Sequence, residues 1–424
     1  MKIFEATNWI LNRGTRKGPY SLSKIKYLLE ELGNPQNDYA CILIGGTNGK
    51  GSVSAITNSI LQECDNYQIG LYTSPHLVDI KERIKVNNKF ISDSLWIEGV
   101  KKIKEICKIM DKEPSIGSPA FFEVITALAF WAYRECEIDL ALLEVGLGGR
   151  FDSTNACSPE VSVITNIGTD HQEFLGTDKS DIAKEKLGIA RRNRTLITSE
   201  KDPKILELFD NHIKGLNGKL ICRNSNEGYQ LVESNPNGYL LTLSFSDEPI
   251  FFKLPGHHQL ENLSLSLELV EQLKINGFEI SNESIKKGIE NTEWTGRLQW
   301  FRDNSALLLD CAHNSEGVDA LAKYLYDNPS ICPINIIFGA LKDKPAEEMA
   351  QKLSKFGNSL FFVSPKSSRA YTEEEFTNSR LATNWRWMPN IESAISECGT
   401  DNKHKTLVCG SIYLIADTIS YLKK

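Results

Sequence analysis

The chain has no Cys-x-x-Cys pair, no internal repeat, no low-complexity segment and no apolar run as long as a membrane span. Each absence excludes something. The ten cysteines, at 41, 64, 107, 136, 157, 222, 311, 332, 398 and 409, suit neither a disulfide framework nor a zinc site. Several lie inside apolar runs, so reduced, buried thiols in a cytoplasmic protein are expected. The first residues, MKIFEATNWILNRG, lack the apolar stretch of a secretory leader, and no membrane anchor is expected. Positive charge is not in excess: 48 Lys and Arg against 55 Asp and Glu leave a net charge of −7. Nothing in that balance suggests a general affinity for nucleic acid or an anionic membrane, and an anionic ligand needs a local positive site.

What is present points to an α/β protein. The 424 residues exceed one ordinary core, so two or three domains are expected. Short β-branched runs at 41–45 (CILIG), 69–74 (IGLYTS), 139–146 (DLALLEVG) and 161–166 (VSVITN) alternate with helical patterns such as 52–64 and 120–134. That alternation predicts a parallel sheet with helices on both faces. Residues 228–254 read instead as antiparallel strands capping one edge. A second α/β pattern begins near 306, with strands at 306–310, 334–339, 359–364 and 406–410. The expected boundary lies within 291–300, giving domains 1–294 and 295–424. The fold class is a P-loop-type parallel-sheet ATPase domain followed by a smaller Rossmann-like α/β domain.

The segment GGTNGKGS (45–52) follows a strand and precedes a helix, the context of a phosphate loop. Gly46, Thr47, Asn48, Gly49, Lys50, Gly51 and Ser52 are the candidate ATP contacts. The glycines let backbone N–H groups face phosphate oxygens, and the helix start adds a favourable partial charge. Lys50 supplies a full charge to the β/γ-phosphates, and Ser52 a hydroxyl to Mg²⁺. The spacing differs from GxxxxGK[ST], because Gly51 separates Lys50 from Ser52. The alternative, a ligand-free turn, needs neither Lys nor Ser there. Glu144 ends an apolar strand, where a buried carboxylate calls for a metal or a cation. With the hydroxyls of Ser52 and Ser74 it makes a partial oxygen shell for Mg²⁺. His171 is either a nitrogen ligand or a structural histidine. Arg297, near the boundary, has the fork that recognises phosphate.

These motifs resemble those of the folylpolyglutamate synthase / dihydrofolate synthase family of the Mur ligase superfamily. The likeness runs from KGPYSLSKI (17–25) to the C-terminus and includes GTNGKGS, TSPHL, GLGGRFDSTN, HQEFLG, AKEKLGI and DxAHN-like DCAHN (310–314). It implies a metal site of Ser52, Ser74, Glu144 and His171, with Lys186 carbamylated to hold a second Mg²⁺. The alternative makes Lys186 a surface lysine like Lys184. The resemblance also gives Gln259 and Asn262 the family's H-Q-x-x-N pattern. Asn262 can read adenine by paired donor and acceptor, while capping and packing compete for Gln259. Asp310 and His313 would hold the ribose and phosphates of ATP as the second domain closes over it. Phe122 and Glu123 match the family's pterin-binding Phe-Glu pair, and could equally be a core aromatic and a solvated helix carboxylate.

The activity implied is ATP- and Mg²⁺-dependent ligation of L-glutamate to dihydropteroate, reduced folate or both, through an acyl phosphate and with the 291–300 segment as hinge. Lys50, Glu144, His171 and Lys186 are the expected catalytic groups, and the resemblance implies a cytoplasmic monomer. A cell-wall-type Mur ligase is the alternative enzyme. It usually carries a further N-terminal domain, for which the chain before residue 45 is too short. An ATP-binding regulatory switch is the alternative of a different class.

Overall fold

The computed structural model describes residues 1–14, 21–113, 115–170, 175–176, 178–301, 304–399 and 404–423, without the side chains of 304 and 305. It divides into two compact units. One comprises Met1–Gly228 with Glu261–Ile289, the other Tyr229–Leu260 with Glu290–Lys424.

The first unit is built on an eight-stranded sheet of order β4-β3-β2-β5-β1-β6-β7-β8. The strands are β1 (Ala40–Gly45), β2 (Ile69–Tyr72), β3 (Ile84–Val86), β4 (Lys89–Phe90), β5 (Leu140–Glu144), β6 (Val161–Ile164), β7 (Thr195–Thr198) and β8 (Lys219–Cys222). β2, β5, β1, β6, β7 and β8 run parallel, and β3 and β4 add an antiparallel hairpin at the β2 edge. β1 and β5 are apolar on both faces because helices cover both, as parallel sheets require. The helix Phe121–Glu135 is buried from Glu123 to Tyr133. Strand order reverses around β1, so the carboxyl ends of β1, β5 and β6 open onto a crevice, where open α/β sheets bind their ligands.

The second unit holds a six-stranded sheet of order β12-β13-β17-β14-β15-β16. Its strands are β12 (Gln299–Phe301), β13 (Asn304–Leu309), β14 (Ile334–Phe338), β15 (Gly357–Val363), β16 (Arg386–Met388) and β17 (Thr406–Cys409). Only β12 runs antiparallel. Phe362 anchors the core of this unit, stacked on Phe376 at 4.9 Å and Trp387 at 5.9 Å.

Residues 229–252 form three antiparallel strands, β9 (Tyr229–Asn235), β10 (Gly238–Leu243) and β11 (Ser246–Phe252). They make a sheet of their own, order β11-β10-β9, and do not extend the edge of the large sheet as expected. Two tight hairpins pair β10 on both sides, so the three strands form without the edge of the large sheet. Among the described residues no helix is long and apolar enough to cross a membrane.

Candidate active site

In the first unit β1 runs into the loop 45–49, and the helix Lys50–Gln62 follows at once. Gly46 and Gly49 take φ of +132° and +91°. A Cβ on Gly46 would stand 1.8 Å from Thr165 Oγ1, and one on Gly49 2.4 Å from Asn262 Oδ1. Both positions therefore exclude a side chain twice, by conformation and by space. The segment leaving β6 holds the loop from outside. Thr47 N–H donates to the Asn166 carbonyl at 3.0 Å, and Asn48 N–H to Asn166 Oδ1 at 3.0 Å. Thr165 Oγ1 donates to the Asn48 carbonyl at 2.6 Å, and Gly168 N–H to Thr47 Oγ1 at 2.8 Å. Lys50 folds back over the loop, donating to the carbonyls of Gly46 at 3.1 Å and Thr47 at 3.0 Å. Asn262, on the helix His257–Ile275, is buried against the same loop.

Glu144 ends β5, beside β1, and is only 6% exposed. Its carboxylate accepts the Ser74 N–H at 3.0 Å. Ser52 lies in the first turn of the loop's helix and is 2% exposed. Among the described residues neither the Ser52 nor the Ser74 hydroxyl makes a hydrogen bond. Two uncommitted hydroxyls and a carboxylate are hard oxygen donors, the set that suits a small divalent cation. His171 lies outside the described residues.

The two neighbouring lysines differ sharply. Lys184 is exposed and pairs with Asp181 at 3.0 Å. Lys186 is 4% exposed and donates to the Gly46 carbonyl at 2.8 Å, sharing that oxygen with Lys50. Its aim comes from the GLGGRF turn. A Cβ on Gly149 would sit 2.7 Å from the Glu185 carbonyl oxygen and 2.8 Å from that of Lys186, so only glycine lets the turn lie flat against the helix Lys179–Leu187. Arg150 N–H then donates to the Glu185 carbonyl at 2.8 Å. Asn155 bridges the carbonyls of Arg150 and Gly188, each at 3.0 Å. Asp152 accepts from Leu147 N–H at 2.9 Å and from Thr154 N–H and Oγ1 at 3.0 and 2.6 Å. Burial raises its pKa above the usual aspartate range, against those hydrogen bonds.

Beyond β2, the segment 73–84 is organised by its own carboxylates. Glu82 accepts from the N–H groups of Leu77, Val78 and Asp79 at 2.6, 3.0 and 2.9 Å, and Asp79 caps the turn Ile80–Arg83. Arg83 Nε donates to His76 Nδ1 at 2.9 Å. Burial, and then the Arg83 charge, push the His76 pKa down to about 4. Phe122 stands edge-on to Tyr72 at 6.2 Å, so close to Gly146 that a Cβ there would lie 2.5 Å from its ring. Glu123 is buried rather than solvated, which removes one of its two alternative readings. It accepts the Ala120 N–H at 2.7 Å and so caps its own helix.

In the second unit, Asp310 ends β13. Its carboxylate accepts from Leu298 N–H and Ala312 N–H, both at 2.9 Å. Burial raises its pKa, and the neighbouring Arg297 guanidinium opposes that shift. The bond to Leu298 holds a residue at φ +47°, a strained conformation for a branched side chain. Arg297, adjacent in sequence, is placed by that turn. His258 faces Arg297, and burial first and that charge second bring its pKa to about 4. His313 Nδ1 lies 2.8 Å from the Cys311 carbonyl, an oxygen that only accepts, which makes Nδ1 the protonated nitrogen. Asn314 caps the helix Ser315–Asp327, accepting from Gly317 N–H at 2.8 Å. Gln259 is buried and its N–H donates to the Gly256 carbonyl at 2.8 Å.

A Mur ligase middle domain matches residues 44–270. A dihydrofolate synthase/folylpolyglutamate synthase of Bacillus subtilis is 33% identical over 99% of both chains. The chain belongs to that family of ATP-dependent ligases. Solved structures agree with the family's fold. Folylpolyglutamate synthase of Mycobacterium tuberculosis, complexed with ADP, superposes with a TM-score of 0.89 at 26% identity, covering 100% of this chain and 98% of that one. An FPGS–AMPPCP–folate complex gives 0.87 at 25% identity, with both chains fully covered. None of these comparisons favours the cell-wall-type alternative.

Sequence reasoning named the loop, Ser74, Glu144 and Lys186 as candidates and passed over the residues that hold them. Thr165, Asn166, Asp152, Glu82 and Arg83 act through contacts across the fold or along a loop. The signal available for Asp152 and Glu82 was a carboxylate inside a turn rich in N–H donors. For Thr165 and Asn166 there was only their place at a strand end.

Proposed function

We propose that the chain joins the amino group of L-glutamate to a carboxylate of dihydropteroate, of a reduced folate, or of both. The observation that carries this reading is the meeting of Lys50 and Lys186 on the Gly46 carbonyl, at the end of β1 beside β5. Lys50 is a cation at the mouth of a glycine loop, which suits a polyphosphate whose terminal group is transferred. A carbamate on Lys186 beside it would offer oxygen to a metal on those phosphates.

In the proposed reaction the acceptor carboxylate attacks the γ-phosphorus of ATP in line, giving an acyl phosphate and ADP. The glutamate amine then attacks the acyl carbon, phosphate leaves, and an amide remains. Gly46 to Ser52 cradle the phosphates, and Lys50 turns from its carbonyl partners to the transferring group. Mg²⁺, when bound, neutralises phosphate charge. Ser52, Ser74 and Glu144 are its proposed ligands, with His171. Lys186 is proposed to carry a carbamate; the modified nitrogen keeps one N–H, enough for its bond to Gly46. Asn262 is proposed to contact adenine, and Arg297, Asp310 and His313 the rest of the nucleotide. Phe122 and Glu123 are proposed to line the pterin site. The domains proposed are 1–294 and 295–424, in a cytoplasmic monomer.

The test is phosphate release from ATP with Mg²⁺ and L-glutamate, adding dihydropteroate or tetrahydrofolate separately. Release with both makes the enzyme bifunctional, and release with one names its acceptor. Release with neither, while ATP still binds, sinks the proposed acceptor class.

A further inference from the structure

The segment 165–168, which holds the glycine loop, is held in turn by the two residues that leave β7. Ser199 is buried. Its N–H and its hydroxyl both donate to the Thr165 carbonyl, at 3.2 and 2.7 Å. Glu200 comes next, and its Oε2 accepts the Ile167 N–H at 2.7 Å. On the near side, the Thr165 N–H donates to the Gly45 carbonyl at 3.0 Å. Between these anchors stand the groups that touch the loop: the Thr165 hydroxyl, and the carbonyl and side chain of Asn166. The shape imposed on the loop therefore depends on where the end of β7 holds Thr165 and Ile167.

Glu200 also serves its own turn. Its Oε1 accepts from the N–H groups of Lys201 and Asp202, both at 2.9 Å, and its N–H donates to Thr198 Oγ1 at 3.1 Å. One carboxylate oxygen is enough for such a turn, and an aspartate can supply it. Asp178 and Asp202 do so at the starts of their helices. The second oxygen of Glu200 reaches a backbone 33 residues away, and a side chain one methylene shorter falls short of it. The local bonds already fix the carboxylate, so little rotamer freedom is lost in the long contact. An ionised acceptor also makes a stronger hydrogen bond than a neutral one. Turn formation accounts for Oε1 and leaves Oε2 to the loop's support.

We infer that Ser199 and Glu200 are positioning residues for the nucleotide, setting the glycine loop through Thr165 and Ile167; this rests on that loop's proposed part in binding ATP. The experiment measures ATP affinity by equilibrium titration, and melting temperature, in wild type and four variants. Glu200→Asp can keep the turn but loses Ile167, and its ATP affinity should fall about tenfold. Ser199→Ala keeps the backbone bond to Thr165 and loses the hydroxyl bond, for a fall of about threefold. Asp202→Ala removes the cap on the Lys204 N–H next door. It should lower the melting temperature while ATP affinity stays within about twofold. Gly46→Ala, in the loop itself, reports whether the loop binds ATP at all.

Wild-type ATP affinity in Glu200→Asp overturns the proposal, whatever its melting temperature. Should that variant not fold, Ser199→Ala carries the test, and wild-type affinity there overturns it. A loss of ATP affinity in Asp202→Ala as large as in Glu200→Asp also overturns it, because loosening the turn would then be enough. Wild-type ATP affinity in Gly46→Ala instead overturns the loop's part in binding ATP, and this inference with it.

Discussion

Two loops leave the carboxyl ends of β1 and β2, on either side of β5, and they are held in opposite ways. The glycine loop 45–49 is fixed from outside by Thr165, Asn166 and Gly168. The segment 73–84 contains no glycine and is fixed from within by Glu82 and Asp79. The glycine loop gives the N–H groups of Thr47 and Asn48 to Asn166, so a neighbour imposes its shape. A loop that offers side chains can spend its N–H groups on itself. The first is sensitive to added volume, the second to lost carboxylates.

Gly46→Ala tests the first half of that contrast and should have the largest effect. The new methyl would overlap Thr165 in a backbone region that disfavours it. Nucleotide affinity should fall by about a hundredfold, from strain of about 1–3 kcal/mol together with a displaced cradle. Wild-type affinity in a nucleotide titration would mean that Thr165 does not shape the loop. Next comes the pair Lys186→Ala and Lys184→Ala. The first should cost about a hundredfold in phosphate release, and the second should stay within about twofold, as for a surface ion pair. Equal, mild effects would make both surface lysines.

Glu82→Gln sharpens the other half. An amide cannot accept from three N–H groups as a carboxylate does, and the loss is about 1–3 kcal/mol. The Michaelis constant for the acceptor should rise about tenfold while that for ATP holds. A rise in the ATP constant instead would show that the two loops are not independently held.

The smallest expected effect is one of pH. His76 has a folded pKa of about 4, against an ordinary 6.5, so between these values the unfolded chain binds more protons. Its contribution to stability is present above pH 6.5 and is lost as pH falls towards 4. Denaturation midpoints at pH 7 and pH 5 should therefore drop further in wild type than in His76→Asn, which accepts from Arg83 without titrating. Equal drops would place the acid sensitivity elsewhere, with His258 the next candidate.

How far the site was legible follows the same division. GGTNGKGS could be read because strand, glycines, lysine and helix are consecutive, and each residue acts through its own backbone or charge. Glu144 could be read because a carboxylate ends an apolar strand. Lys186 could not be separated from Lys184 by local sequence, since both stand in one polar helix. What separates them is the GLGGRF turn lying against that helix, which depends on Gly149 and Asn155. The three strands at 229–252 were found by their alternation, but whether they extend the large sheet depends on which edge pairs them. Arg83 was passed over because an arginine in a charged segment reads as solvated.

The sequence by itself determined the parallel α/β architecture, the glycine-rich strand–loop–helix that carries Lys50 and Ser52, and the family. These follow from periodicity and from motifs whose parts are neighbours along the chain. The tertiary structure decided which lysine reaches Gly46, which residues brace the loop, and that Arg83 is buried against His76. Burial and charge pairing are sums over contacts between distant segments, and no local window of sequence contains them.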